Sequence, residues 1–222
     1  MTLFGFLSGG AISNPPEDKT KSAGHISIAW PTALALDERS GKSGFIMPRI
    51  KATIGLHQLY HPKARRETAP NITWEHIVSI GYNLSTVVNS LHEKGYVIGD
   101  LNESNILVND RSLISLIDCD SMQVQDRTTT YYCTVAKREY AAPELIGQDL
   151  SSLKRSPDSD VFSLAVLLFM LLMEGTSPFA GTQLGNLTLE EQKQTGNSPY
   201  LPAGTLQPPV SAPPFDILPK QI

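Results

Sequence analysis

Asp100 lies five residues before Asn105 in Gly99-Asp100-Leu101-Asn102-Glu103-Ser104-Asn105, and a second aspartate, Asp118, follows the first by 18 residues in Leu116-Ile117-Asp118-Cys119-Asp120. Between them, Ile106-Leu107-Val108 and Leu113 to Ile117 read as short apolar strands that turn back at Asn109-Asp110, and Tyr96-Val97-Ile98 reads as a third short strand before the loop. A tight antiparallel pair aims side chains that are distant in sequence at one point. The chain is therefore expected to gather three side-chain oxygens in one cleft, and such donors suit a hard divalent cation.

The surrounding pattern supplies the scaffold. Trp74, Ile77, Val78, Leu84, Val88 and Leu91 recur at helical spacing, with Asn71 or Thr73 as the start and Gly95 as the stop. Val161 to Met173 is a run of 13 residues, apolar apart from Ser163; it is too short to span a membrane and reads as a buried helix. Upstream, residues 13–24 with Pro15-Pro16 read as a loop. Ile26 to Trp30 and Gly44 to Met47 read as two strands joined by a polar turn around Asp37 to Ser43. From Pro199, seven prolines in 21 residues predict an extended, poorly packed tail.

Several motifs in order resemble the protein kinase superfamily, in its bacterial Ser/Thr kinase-like form. Leu91-His92-Glu93-Lys94-Gly95 is similar to the end of the helix before the catalytic loop, Asp100 to Asn105 matches D-x-x-x-x-N, and Asp118 stands where D-F-G places its aspartate. Ala142-Pro143-Glu144 matches A-P-E, Asp160-Val161-Phe162-Ser163-Leu164-Ala165-Val166 resembles D-V-W-S-L-G-V, and Gly175 to Phe179 resembles the turn after that helix. The resemblance implies an α+β, kinase-like fold: a mainly helical large lobe with a remnant of the small-lobe antiparallel sheet. Residues 1–50 would be a truncated small lobe and hinge, 51–198 the large lobe, and 199–222 the Pro-rich tail of an incomplete large lobe.

By the same resemblance, Asp100 is the catalytic base or the group that orients the acceptor hydroxyl, and Asn105 and Asp118 hold Mg2+ against ATP. The hinge at Met47 and Arg49 meets the adenine, with Pro48 removing one N–H, and Leu107 packs beneath the base. Asp160 is expected to accept backbone hydrogen bonds from the catalytic loop, and residues 119–144 would be the activation segment, with a mobile Thr128 to Tyr132 run.

The departures are informative. Ile98-Gly99 replaces H-R of H-R-D, so no arginine is present there to pair with a phosphorylated activation segment. Asn102 stands where a lysine is common, and Lys137 where a threonine is expected; the Lys137 side chain either returns to Asp100 and restores the missing charge, or is solvated. Asp120 replaces the glycine of D-F-G and either borders the metal or makes a local turn. Glu144 has no identifiable arginine partner. Gly5, Gly9 and Gly10 do not form a phosphate loop, and no lysine stands in a V-A-I-K-like context, which predicts weak or no turnover from this chain alone.

The leading expectation is phosphoryl transfer from ATP to a protein Ser/Thr hydroxyl, with a protein substrate and a further segment completing the small lobe as partners. Two alternatives stand beside it: a small-molecule kinase, which shares the aspartate motifs but usually lacks A-P-E, and a pseudokinase scaffold. A net charge of −4 over 222 residues, without a basic patch, argues against nucleic acid. Cys119 and Cys133, without metal-ligand spacing, fit reduced thiols in a cytoplasmic protein, and the apolar Met1 to Ile12 stretch lacks the positive flank of a signal peptide. Gly41-Lys42-Ser43 is read as a hairpin turn rather than a phosphate loop, and His57 with His61 is not read as a metal pair.

Overall fold

A computed structural model describes residues 10–51, 53–126, 129–182, 187–202 and 204–218. Gly5, Gly9 and Thr128 lie outside the described residues. The described part has a short N-terminal helix, α1 (Gly10–Ser13), and a hairpin of β1 (Ala33–Asp37) and β2 (Lys42–Ile46). Then come β3 (Ile54–Gly55), α2 (His57–Tyr60), α3 (Pro62–Thr68) and the long α4 (Trp74–His92). The second half holds β4 (Ile106–Val108), β5 (Ile114–Leu116), β6 (Val124–Asp126), β7 (Thr129–Tyr131), α5 (Pro157–Leu172) and α6 (Leu189–Thr195). This is the expected α+β architecture, with a helical lobe and small antiparallel sheets.

α4 and α5 form the centre. Ile77, Ile80, Leu84, Val87, Val88 and Leu91 of α4 are buried, one stripe of a 3.6-residue repeat. Trp74 and Val78, expected on that stripe, are 37% and 40% exposed because they fall to its side. Thr73 starts the helix with a capping box, its N–H donating to His76 Nδ1 at 3.1 Å. Gly81 is a point of closest approach: a Cβ there would meet Leu168 Cδ2 of α5 at 3.1 Å. Among the described residues no helix is long and apolar enough to cross a membrane.

The sheet that carries the site has the order β3-β4-β5, with Ile106 opposite Leu116 and Val108 opposite Ile114. The expectation for Ile26 to Trp30 is corrected here. This segment is not paired in the hairpin; it runs parallel to β5, with Ala29 N–H donating to Leu116 O at 2.9 Å and Leu116 N–H to Ser27 O at 2.8 Å. The hairpin starts after Pro31, at Ala33. Ile28, Ala29 and Trp30 are buried against the large lobe, and Trp30 donates to Ala11 O at 3.0 Å and packs on Tyr96 at 4.8 Å. Hydrophobic burial wins over hairpin pairing because the hairpin offers no core: Leu34, Leu36 and Ile46 are exposed.

One further expectation changes. Thr129–Tyr131 is an ordered strand, Val124 pairing with Tyr131, rather than part of a mobile run. The Pro-rich tail is largely exposed, with Val210, Leu201 and Phe215 open to solvent, and is anchored at a few points: Leu206 is buried, Thr182 N–H donates to Gln207 O at 2.9 Å, and Tyr200 packs between Phe169 and Phe215. Among its described residues, regular structure is limited to a 3₁₀ turn over Phe215–Ile217 and the bridge between Thr182 and Gln207.

Candidate active site

The loop between Tyr96 and β4 is shaped by polar side chains. Asn102 accepts from Ser104 N–H at 2.9 Å, starting a 3₁₀ turn over Glu103–Asn105, and returns its amide to Asp100 O at 3.0 Å. Asn105 donates to the same Asp100 carbonyl at 3.1 Å. That bond commits its Nδ2, so Oδ1 is the atom Asn105 has for a cation. The Asn105 carbonyl in turn accepts from Ile117 N–H at 2.9 Å, which seats Asn105 beside the residue before Asp118.

Asp118 has a left-handed backbone, φ 61° and ψ 36°, a conformation that aspartate tolerates better than most residues. It begins a 3₁₀ turn over Cys119–Ser121, so the extended geometry that would align Asp120 with Asp118 is not formed. Desolvation pushes the Asp118 carboxyl above the ordinary carboxylate range, with repulsion from Asp120 and Asp100 acting the same way and a bond with Ser121 opposing it. Asp100 and Asp118 thus lie within electrostatic reach of each other, and each would gain from a cation between them. Cys119 beside them is fully buried, and burial pushes its thiol far up, so it acts as core rather than nucleophile.

Asp100 Oδ1 accepts the backbone N–H of Lys137 at 2.8 Å. The Lys137 amine does something else: it pairs with Glu103 and lies 5.6 Å from the centre of the Tyr140 ring. Burial opposes ionisation of Glu103, but the bonds from Lys137 and Tyr140 outweigh it and hold the carboxyl below its ordinary range. Lys137 is thereby joined to Asp100 through the main chain, while its charge sits on the neighbouring Glu103.

α5 fixes this loop from below. Asp160, fully buried, accepts from Ile98 N–H and Gly99 N–H at 2.7 Å each and from His92 Nε2 at 2.9 Å. One turn on, Ser163 Oγ donates to Tyr140 O at 2.9 Å. Residues i and i+3 of one helix face therefore hold both the catalytic loop and the segment after Lys137. Glu144 is exposed and has no cationic partner among the described residues. Lys193 of α6 braces that region instead, donating to Arg138 O at 2.6 Å, Glu139 O at 2.7 Å and Ala141 O at 3.4 Å.

Of the residues assigned to nucleotide, Leu107 lies on the face of β4 opposite to the buried Ile106 and Val108, half-covered and paired with Gly55 and Ser115. Met47 follows β2 directly and is half-buried; Arg49 is exposed and borders a pocket of about 140 Å³ with His25, Asn109 and Ser115. Among the described residues no hydrogen bond or ion pair joins Met47 or Arg49 to Asp100, Asn105 or Asp118. Asp100, Asn105, Asp118 and Lys137 do come together. Among the described residues no three His, Cys, Asp or Glu side chains gather to hold a metal alone. Asn105 and Asp118 fit Mg2+ as two hard oxygen donors whose remaining partners are phosphate oxygens and water. Sequence reasoning passed over Glu103, Gln123, Arg155 and Lys193, whose partners are all distant in the chain.

A protein kinase domain profile matches residues 48–209. The protein kinase YegI of Escherichia coli O157:H7 is 34% identical over 161 residues, 71% of this chain and 25% of that protein. Its namesake in Escherichia coli strain K12 is likewise 34% identical over 161 residues, covering 71% of this chain and 24% of its own length. A PAS domain-containing serine/threonine-protein kinase of Mus musculus is 28% identical over 120 residues, 54% of this chain and 8% of that protein. The chain spans about a quarter of the YegI relatives. The profile match encloses Asp100, Asn105, Asp118, Lys137 and Asp160, the side chains and main-chain links that build this site, and the chain belongs to the protein kinase domain family.

Proposed function

We propose that the chain carries the catalytic half of a phosphotransferase that moves the terminal phosphoryl group of ATP to a Ser/Thr hydroxyl on a protein. The observation that carries this reading is the bond from Ile117 N–H to Asn105 O, which puts Asn105 and Asp118 side by side with Asp100 within electrostatic reach. Asn105 Oδ1 and Asp118 would hold Mg2+, which would supply neutralisation of phosphate charge. Asp100, held by the Lys137 N–H, orients the acceptor hydroxyl and takes its proton as the hydroxyl oxygen bonds to phosphorus and the bond to the nucleoside diphosphate breaks. Lys137 pairs with Glu103, an ion pair that adds no net charge to the acceptor side of the loop, and acts on Asp100 through its N–H. Leu107 supports the base, and the hinge backbone around Met47 and Arg49 supplies its polar contacts. The described small-lobe part is the β1–β2 hairpin alone, so turnover by these residues is expected to be low.

Calorimetry with ATP, with and without Mg2+, tests the reading. Mg2+-dependent binding that Asp118→Asn abolishes, with phosphate appearing on a generic protein acceptor and not on small alcohols, is the expected result. No heat in either condition would sink the nucleotide role and favour a scaffold.

A further inference from the structure

Residues 132–137 belong to no helix or strand, so their backbone polar groups need partners from elsewhere. Arg155 provides them. Its guanidinium donates through Nη2 to Cys133 O and Val135 O, both at 2.8 Å, and through Nη1 to Gly99 O at 2.5 Å. The residue is only 4% exposed. Its own backbone is fixed by Gln123, which accepts Arg155 N–H at 2.8 Å and donates to Arg155 O at 2.9 Å, while the Gln123 backbone pairs with Val97.

The space for this side chain depends on Gly99. With φ 76°, a Cβ there would stand 2.6 Å from Cys133 Sγ and 2.8 Å from Arg155 Nη1. Glycine occupies the place where the family resemblance expects an arginine, and the guanidinium arrives from residue 155 instead. It meets main-chain carbonyls rather than a phosphate. A planar fork holds its donors in fixed directions and so spans acceptors on two separate strands of chain, a geometry that the compact ammonium of lysine does not reproduce. Gly99 adjoins Asp100, and Val135 lies two residues before Lys137, whose N–H holds Asp100 Oδ1. The clamp therefore ties together the two stretches of chain that the bond between Lys137 N–H and Asp100 Oδ1 also joins.

We infer that Arg155 is a positioning residue that locks residues 133–135 to the catalytic loop, so that the acceptor-side segment takes its working shape without phosphorylation. The inference rests on the phosphotransfer reading for its function, while the lock itself is measurable without turnover.

Amide hydrogen exchange on the full chain, read by mass spectrometry, tests it. In Arg155→Ala, residues 129–136 should exchange at least about tenfold faster than in wild type while residues 74–92 stay protected. Dilute methylguanidinium should restore protection to R155A. Arg155→Lys should exchange like R155A and resist that rescue, because its stem fills the space. Phosphatase treatment should leave wild-type protection unchanged. Unaltered exchange at 129–136 in both variants, or loss of wild-type protection after phosphatase, would overturn the inference. Global unfolding of both variants would overturn it as well, since the role would then belong to the fold and not the segment. Absence of kinase activity with the expected exchange pattern would refute only the phosphotransfer reading.

Discussion

Asp118 combines a left-handed backbone with a carboxyl pushed up by desolvation and by Asp120 and Asp100, a cost that a ligand-free chain bears and a bound cation offsets. A carboxyl raised above its unfolded value favours the folded state fully only below the unfolded pKa, and that contribution is lost as pH rises through the folded value. Asp118→Asn should therefore raise the thermal midpoint at neutral pH, and the gain should vanish in acid; differential scanning fluorimetry against pH reads both. The same variant should lower Mg2+-dependent turnover by at least about 100-fold, since it removes a charge that acts on the transferring group. Asp100, Asn105 and Asp118 were readable in the sequence because their spacing is a local property of one loop and one strand pair. Arg155 was not. Between Lys154 and Ser156 it has the look of a solvated cation, and its acceptor at Gly99 lies 56 residues away. Nor does spacing tell a lysine's amine from its amide, which is why the link between Lys137 and Asp100 proved to be main-chain.

α5 and α6 act as struts for the loops above them. α6 offers a pH-sensitive test, because desolvation lowers the Lys193 amine to about 8, against the opposing pull of Glu139 and Glu190. An amine depressed in the fold binds its proton more tightly when unfolded, so stability should rise with pH between about 8 and the ordinary 10.5. Urea midpoints across that window should climb in wild type and stay flat in Lys193→Met. Helices such as α4 and α5 were readable from apolar periodicity and caps, which are carried within each segment. The partner of a short strand is not so carried. Ile26 to Trp30 has strand composition, and only the packed large lobe decides that it flanks β5 rather than the hairpin.

The large lobe is tied together by a few buried polar centres, and Asp160 is one of them. Asp160→Ala would leave Ile98 N–H, Gly99 N–H and His92 without their acceptor. Removing one partner from such a buried set costs about 3–5 kcal/mol. Against a typical total of about 5–15 kcal/mol, chemical denaturation should show a folded population that is marginal at 37 °C. The hairpin stands at the other extreme, since a lone pair of strands is marginal in water. Leu34 and Leu36 project from one side of it, 49% and 68% exposed, and such an exposed apolar pair invites self-association. The parallel Ile28 segment, by contrast, occupies the outer side of β5. Stickiness of the purified chain should consequently originate at the ribbon: light scattering that grows with concentration should disappear when Leu34 and Leu36 are both changed to Lys, leaving the helical lobe's far-ultraviolet signature intact.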